Sequence, residues 1–510
     1  MHRILLTILT LCLGVMNAQA GMVRNAAQQE QNYRNSLWWN SSNAAAQAFR
    51  PIAVSNELSL SWKNTSGAWR PVQQAERSNS LALDTRGVAM VGAFRVWGDF
   101  AFRDLFEQGL NYNCALYEVP EDLPYYIVDP QVSRWNRQEY DMGVGLASPV
   151  MWDRASFGIE LRYVNKVGAK QRDPRVETRV MNLKLAPSVT IRMGERHLFG
   201  LTGLFHYDFE LSDPMNNSPV NQAVAVSRGL GEGTGSVVGG NTGLAEFMYT
   251  TYRYGGGVQY NFNGPVDLLV DAGLRLQDVD VEQQISLPKN MGCTRQTLLH
   301  ADAQLLWGSK SSNKLSLGVY LRDTEGIEKV QHRDDTPFHQ KWVTDAENKM
   351  SFFHRLHAEA CYDHHFGIEE TTGYTWKLGG SCLFDSEDDS YPYAPASYDW
   401  STVFVQAFGA RNFALRGSSI LASLSAGYGY SLGGSYVYGG TANALLQQPY
   451  LADIAYRTDD YLQFSGCLSW AFGGGSTRYL LTAGANYSFV PADRGRPDRL
   501  LANLSFGILF

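Results

Sequence analysis

The chain has 510 residues with 49 Gly, 12% aromatics and only 18% charged residues, and its net charge of -7 argues against a nucleic-acid binder, which needs basic patches for phosphate. Past the N-terminus there is no run of eighteen or more apolar residues, so no transmembrane helix is available. A mean hydropathy of -0.25 does not exclude a membrane-spanning barrel, because each lipid-facing strand residue is followed by a lumen-facing one.

In chain order, residues 1–20 read as a signal peptide: His2 and Arg3 are followed by an apolar run from Ile4 to Val15 and by Ala18-Gln19-Ala20 as the cleavage site. Cys12 lacks the small residues that a lipid-anchor signal places before its cysteine, and Gly21 is the expected mature N-terminus. Residues 21–55 are expected to form a periplasmic or plug segment. Ala26 to Ala48 is rich in Ala, Gln and Asn around Leu37, Trp38 and Trp39, which predicts a short amphipathic helix before Pro51.

Residues 56–510 alternate apolar and polar positions in segment after segment, the period of a β-strand. The alternation predicts strands near 56–63, 78–85, 88–103, 137–147, 154–166, 176–193, 197–211, 246–262 and 265–279. It continues near 296–308, 313–323, 351–365, 371–385, 401–413, 419–432, 459–472, 476–490 and 499–510, eighteen in all, or sixteen or fourteen if weak hairpins merge. Tight turns are expected at Arg86-Gly87, Gly194-Glu195-Arg196, Asn263-Gly264, Ser309 to Ser312 and Gly473-Gly474-Gly475. Long connections are expected near 104–136, 212–244, 325–349, 386–399 and 433–458. Short turns alternating with long loops are the arrangement of an all-β, antiparallel transmembrane barrel with periplasmic turns and external loops. The final strand, Leu500 to Phe510, carries its apolar stripe to a terminal aromatic, and Phe510 is the expected signal to the barrel-insertion machinery.

Opposite the apolar stripes stand Asp99, Arg103, Glu160, Arg162, Lys184, Arg192, Asp267, Asp271, Arg275 and Asp302, joined by His206, Asp208, Arg253, His300, Lys377 and Arg411. These are the candidate lumen-lining residues, since an outward Arg or Lys costs roughly 2–4 kcal/mol at the bilayer midplane. They read either as a hydrated wall of mutual pairs or as charge rows along a solute path. His357, Glu359, Asp363 and His365 share one strand face with Cys361 and are weak metal candidates, because alternate strand residues lie about 7 Å apart. No cofactor or metal is expected.

The run Asp385, Glu387, Asp388 and Asp389 before Tyr391-Pro392-Tyr393 is expected in an external loop, solvated or holding a divalent cation against lipopolysaccharide. Gly229 to Ser236 lacks the lysine of a phosphate loop and is expected to be a flexible tip. Five cysteines follow the signal, an odd number; Cys114 and Cys293 fall in expected external loops, where pairing is open.

The segment Gly67-Ala68-Trp69-Arg70-Pro71-Val72-Gln73-Gln74-Ala75-Glu76, the strand Phe94-Arg95-Val96-Trp97-Gly98 and the aromatic terminus together resemble outer-membrane barrel proteins of the Bacteroidota that carry a domain of unknown function. The resemblance covers nearly the whole mature chain and implies fold and location, with no catalytic residues to transfer. The expected function is a passive pore or an accessory of nutrient uptake. A non-conducting scaffold of an uptake or secretion complex is the first alternative, and a barrel enzyme acting on lipid or peptide the second. Expected partners are outer-membrane lipid and lipopolysaccharide, the insertion machinery and a TonB-dependent uptake or secretion complex; a TonB-dependent transporter itself needs twenty-two strands and a longer chain.

Overall fold

The computed structural model describes residues 25–510 apart from 53–55, 115, 216–221, 239–245, 285–286, 337, 442, 475–476 and 492–496, so the signal-peptide reading falls outside the described residues. In chain order the strands are β1 (Glu57–Ser66), β2 (Arg77–Val91), β3 (Phe94–Leu110), β4 (Ile127–Val128), β5 (Ser133–Ala147), β6 (Ala155–Lys170), β7 (Arg175–Met193), β8 (His197–Met215), β9 (Gln222–Gly229), β10 (Glu232–Val238) and β11 (Glu246–Asn263). They continue as β12 (Val266–Gln284), β13 (Lys289–Trp307), β14 (Ser311–Asp334), β15 (Lys341–Phe366), β16 (Trp376–Tyr391), β17 (Ala396–Leu415), β18 (Ser418–Tyr438), β19 (Tyr461–Phe472), β20 (Arg478–Phe489) and β21 (Asp498–Leu509). Two α-helices, α1 (Ala26–Asn35) and α2 (Ala444–Arg457), complete the elements used below.

Eighteen strands form one antiparallel sheet in chain order, and β1 pairs with both β2 and β21, which closes it into a barrel. Closure removes both edges, the hazard of an apolar terminal strand. The register sets Leu60 beside Phe506 and Trp62 beside Leu504. β4, β9 and β10 form a separate three-stranded sheet.

The alternation has a physical outcome. Leu60, Leu81, Leu201, Leu276, Val319, Leu468 and Leu504 are all exposed on the outer surface, a band of apolar side chains around a closed sheet. In water such a band would drive aggregation; in hydrocarbon it is the solvated face, and the closed ladder pairs the backbone of each wall strand with both neighbours. The protein is a bacterial outer-membrane β-barrel.

Turns at 92–93, 194–196, 264–265, 308–310 and 416–417 lie on one rim together with the start of β1 and the end of β21. The opposite rim carries the connections at 67–76, 111–132 and 439–460, and the segment holding β9 and β10. We refer to these as the inner and outer rims.

Three expected boundaries are corrected. Arg86-Gly87 is not a turn: Gly87 pairs with Gly98 inside the β2–β3 ladder, Arg86 donates a hydrogen bond to the Tyr33 hydroxyl at 3.2 Å, and the chain reverses at Gly92, where φ is 61°. The expected loop 325–349 is mostly strand, because β14 and β15 stay paired to Asp334 and Lys341. The expected loop 386–399 shrinks to residues 392–395, since Tyr391 already pairs with Ala396.

Candidate functional site

The inner rim is filled by the N-terminal segment. Asn25 caps α1 by accepting the Gln28 backbone N–H at 2.9 Å, and a 3₁₀ turn at Leu37–Asn40 and another at Ala44–Ala48 follow. Capping satisfies orphan backbone donors that burial would otherwise penalise. The backbone at Ala44 and Ala45 rests on Gly158 of β6, where a Cβ would come within 2.3 Å of the Ala45 nitrogen.

Polar side chains fasten this segment to the lumen wall. Arg34 is ion-paired to Asp363 of β15 and donates to Ser312 Oγ of β14 at 2.9 Å. Trp38 donates to Asn261 of β11, and Asn43 donates to Gln259 Oε1 at 3.0 Å while accepting from Thr190 of β7 at 2.9 Å. Arg50 pairs with Asp267 of β12, and Glu30 with Lys377 of β16. The wall beneath is buried: Ser156, Thr190, Asn261 and His365 are inaccessible to solvent. A buried polar residue is tolerated when its hydrogen bonds are made, and for Thr190 and Asn261 the plug makes them.

Of the candidate lumen-lining residues, Asp267 is taken by the plug and Arg192 stacks its guanidinium 4.7 Å from the Phe49 ring. Further up the lumen Arg162 bridges Asp141 at 2.7 Å and Asp99 at 3.4 Å, Arg103 pairs with Glu139 at 3.1 Å, and Lys184 with Glu160 at 3.1 Å. Asp271 accepts from Gln259 Nε2 at 3.0 Å, and Asp302 from the Tyr320 hydroxyl at 2.7 Å. Asp208 is held by His206 and Arg253, and His300 lies 4.0 Å from Asp271. The Arg275 Nε is buried with no acceptor among the described residues. Arg411 is a correction: it lies over the rings of Trp376 and Phe413 on the outer face at the inner rim, where cation–π contact and nearby water replace a lumen.

The metal candidates are not brought together. Asp363 is taken by Arg34, His365 packs 4.2 Å from the Tyr374 ring, and His357 lies 3.8 Å from Asp385. Among the described residues no group of three His, Cys, Asp or Glu has metal-binding geometry.

The outer rim is filled from above. The connection 111–132, the small sheet and α2 pack into an apolar core with Cys114, Tyr125, Tyr126, Trp135, Phe247 and Leu446. Asp129 and Lys170 form an ion pair that is almost wholly buried beneath it, and burial raises the Asp129 carboxyl while Lys170 opposes the shift. Leu230, within the expected flexible tip, is fully buried and its N–H donates to the Tyr450 hydroxyl at 2.8 Å, so the glycine-rich stretch is the turn of the β9–β10 hairpin and the first part of β10. Cys114 and Cys293 are both free thiols.

Glu121, at the tip of the 111–132 connection, joins three elements: it pairs with Arg355 of β15, with Arg457 of α2 at 2.7 Å, and lies 3.8 Å from Arg322 of β14. Its neighbour Asp122 accepts from Thr324 at 2.8 Å and from Gln296. The acidic run also corrects expectation: β16 turns Asp385, Glu387 and Asp389 inward, and Arg355 reaches Asp385 with two nitrogens, at 3.1 and 2.8 Å. Between lid and wall lies a cavity of about 670 Å³ lined by Glu107, Glu387, Asp389, Tyr398, Tyr450 and Arg457. A smaller one of about 170 Å³ lies against the plug beside Trp38, Asp99 and Arg162.

The plug and lid contacts were not legible as such in the sequence; the available signal was inward polar residues at strand ends, such as Gln259 and Asn261, and their burial emerges only in the folded chain.

A protein-family model described as a family of unknown function, DUF6850, matches residues 44–510. No curated protein matches the sequence. Among solved structures, the chain is similar to BauA, the ferric preacinetobactin receptor from Acinetobacter baumannii, with a TM-score of 0.39 and 7% identity over 89% of this chain and 80% of that chain. It is also similar to the outer-membrane transporter YddB from Escherichia coli (TM-score 0.39, 7% identity, 89% of this chain and 81% of that chain). A third similarity is to the alcaligin outer-membrane receptor FauA from Bordetella pertussis (TM-score 0.38, 10% identity, 88% and 75%).

Proposed function

We propose, for a chain that belongs to the DUF6850 family of unknown function, that it is a gated barrel serving nutrient uptake across the outer membrane. In this reading a solute loads from outside into the cavity under the lid, and release to the periplasm requires the N-terminal segment to leave the inner rim. One observation carries it: residues 25–52 are fastened to the lumen face of β7, β11, β12, β14, β15 and β16 by side-chain hydrogen bonds and ion pairs. Polar fastening suits an element that must detach, because each group regains water on release; the apolar contacts of Leu37, Trp38 and Ala46 with Leu198 and Leu269 set the cost of that release. This arrangement supports a gated passage better than the passive pore expected from sequence.

The apolar core of the lid favours a second reading, a non-conducting scaffold in an uptake or secretion complex. Planar-bilayer conductance separates the two. The full chain should be closed with rare openings, and Arg34→Gln combined with Arg50→Gln should lengthen the open time. A full chain that is steadily open overturns the gate. Silence of both proteins, with folded barrel present, favours the scaffold.

A further inference from the structure

We propose that the cavity under the lid is a binding site for an organic cation, with an ammonium or guanidinium group docking against Glu387 and Asp389. The cavity of about 670 Å³ is of the size of small-molecule sites. Its lining carries six carboxylates against four cations, Lys63, Arg137, Arg457 and Arg499. Most of these charges are already engaged. Arg137 pairs with Glu107 at 2.5 Å, Arg457 with Glu121 and Asp453, and Arg499 donates to the backbone oxygens of Gly67 and Ala75. Glu387 and Asp389 have no ion-pair contact among the described residues.

Both are nevertheless buried, Asp389 to 2% exposure and Glu387 to 7%, and Asp389 Oδ1 accepts no hydrogen bond among the described residues. A buried carboxylate oxygen without a donor is costly, and a cationic ligand supplies the missing donor. The aromatic surface of Tyr126, Tyr398 and Tyr450 beside it suits the apolar body of such a ligand and attracts its charge.

The pair lies beyond the lipid band. On the outward face of β16, Trp376, Leu378 and Phe384 give way to the exposed Asp388 between the two acids. Burial raises the Glu387 carboxyl, and burial first, and then the Glu387 charge, push the Asp389 carboxyl well above the usual range. The groups facing them are Asp122 of the lid, Arg322 of β14, Arg355 of β15, Tyr398 of β17, and Tyr450 and Arg457 of α2. A docking cation supplies the opposite charge that both acids lack as an ion-pair partner, and so favours their ionised forms.

This inference rests on the uptake reading only in treating the ligand as cargo. Equilibrium binding tests it without requiring conduction, so its failure leaves the conductance result standing. Calorimetric titration of the full chain in detergent with spermidine, at pH 7 in two buffers of different ionisation enthalpy, should show saturable binding with net proton release. Asp389→Asn should weaken binding by at least about tenfold, while the outward Asp388→Asn should leave it unchanged. Absence of saturable heat, equal affinity in Asp389→Asn, or binding of citrate in preference to spermidine would overturn the proposal. Should Asp389→Asn lack the heat-modifiable gel mobility of a folded barrel, the unaltered protein decides: spermidine binding without proton release counts against the site.

Discussion

The indole N–H of Trp38 donates to Asn261 Oδ1 at 3.2 Å, and neither residue is more than 2% exposed. A tryptophan of the N-terminal segment thus closes over a polar residue of the barrel wall that would otherwise face the lumen. Asn261 in turn donates to Asp267 Oδ1 at 2.7 Å, and Asp267 pairs with Arg50, so the contact is one link in a chain from plug to wall and back to plug.

Trp38→Ala removes the largest side chain of this contact and leaves Asn261 without its donor. Truncation of a buried Trp costs about 3–5 kcal/mol. The expected outcome is a plug that proteases reach from the periplasmic side, while the heat-modifiable mobility of the barrel persists. Continued protection of residues 25–52 would show that the remaining polar contacts suffice to hold the plug.

The two faces of β21 should respond differently to one charge. Leu504 is exposed on the outer face and pairs with Trp62, whereas Ser505 alternates inward beside Ser61. Leu504→Arg should destabilise the barrel by roughly 2–4 kcal/mol in lipid vesicles, and Ser505→Arg should be tolerated. Unfolding in urea measures both, and equal tolerance would contradict a hydrocarbon environment at Leu504.

Orientation is tested at the two rims. Phe338, 98% exposed in the connection between β14 and β15, lies on the outer rim, and Gly474 lies in the connection between β19 and β20 on the inner rim. A protease-sensitive tag at Phe338 should be cut on intact cells and one at Gly474 only after the outer membrane is opened. The reverse pattern would invert the barrel and place the cavity under the lid on the periplasmic side.

Cys114 should be chemically silent. Its thiol is fully buried in the lid core, and burial pushes it up to about 12, so almost no thiolate exists at pH 8. Maleimide should label Cys114 only after unfolding, and reductant should leave the melting temperature unchanged, since Cys114 and Cys293 are free. Rapid labelling of Cys114 in the folded barrel would show that the lid opens on that timescale.

Strand identity was legible because each lipid-facing residue is constrained by one bulk solvent. Val266, Leu268, Val270 and Leu274 can be read as one face without knowledge of their neighbours, and all eighteen expected strands have a counterpart in the barrel. Strand ends were less legible. Above the lipid band the alternation of β14 and β15 no longer separates oil from water, so nothing in residues 325–349 distinguishes a paired ladder from a loop. The acids of β16 read as a solvated loop for the same reason, although the inward set Asp385, Glu387 and Asp389 keeps the period of two.

By itself the sequence determined that the chain closes a barrel and which strand faces meet lipid, because a single environment outside the wall imposes a repeating choice on every second residue. What fills the barrel was decided only by tertiary structure. Arg34 finds Asp363 across 329 positions, and Glu121 finds Arg457 across 336. Such pairs follow no period, since a polar residue inside the lumen is satisfied equally by water, by a wall neighbour or by a distant segment, and only the folded chain selects among them.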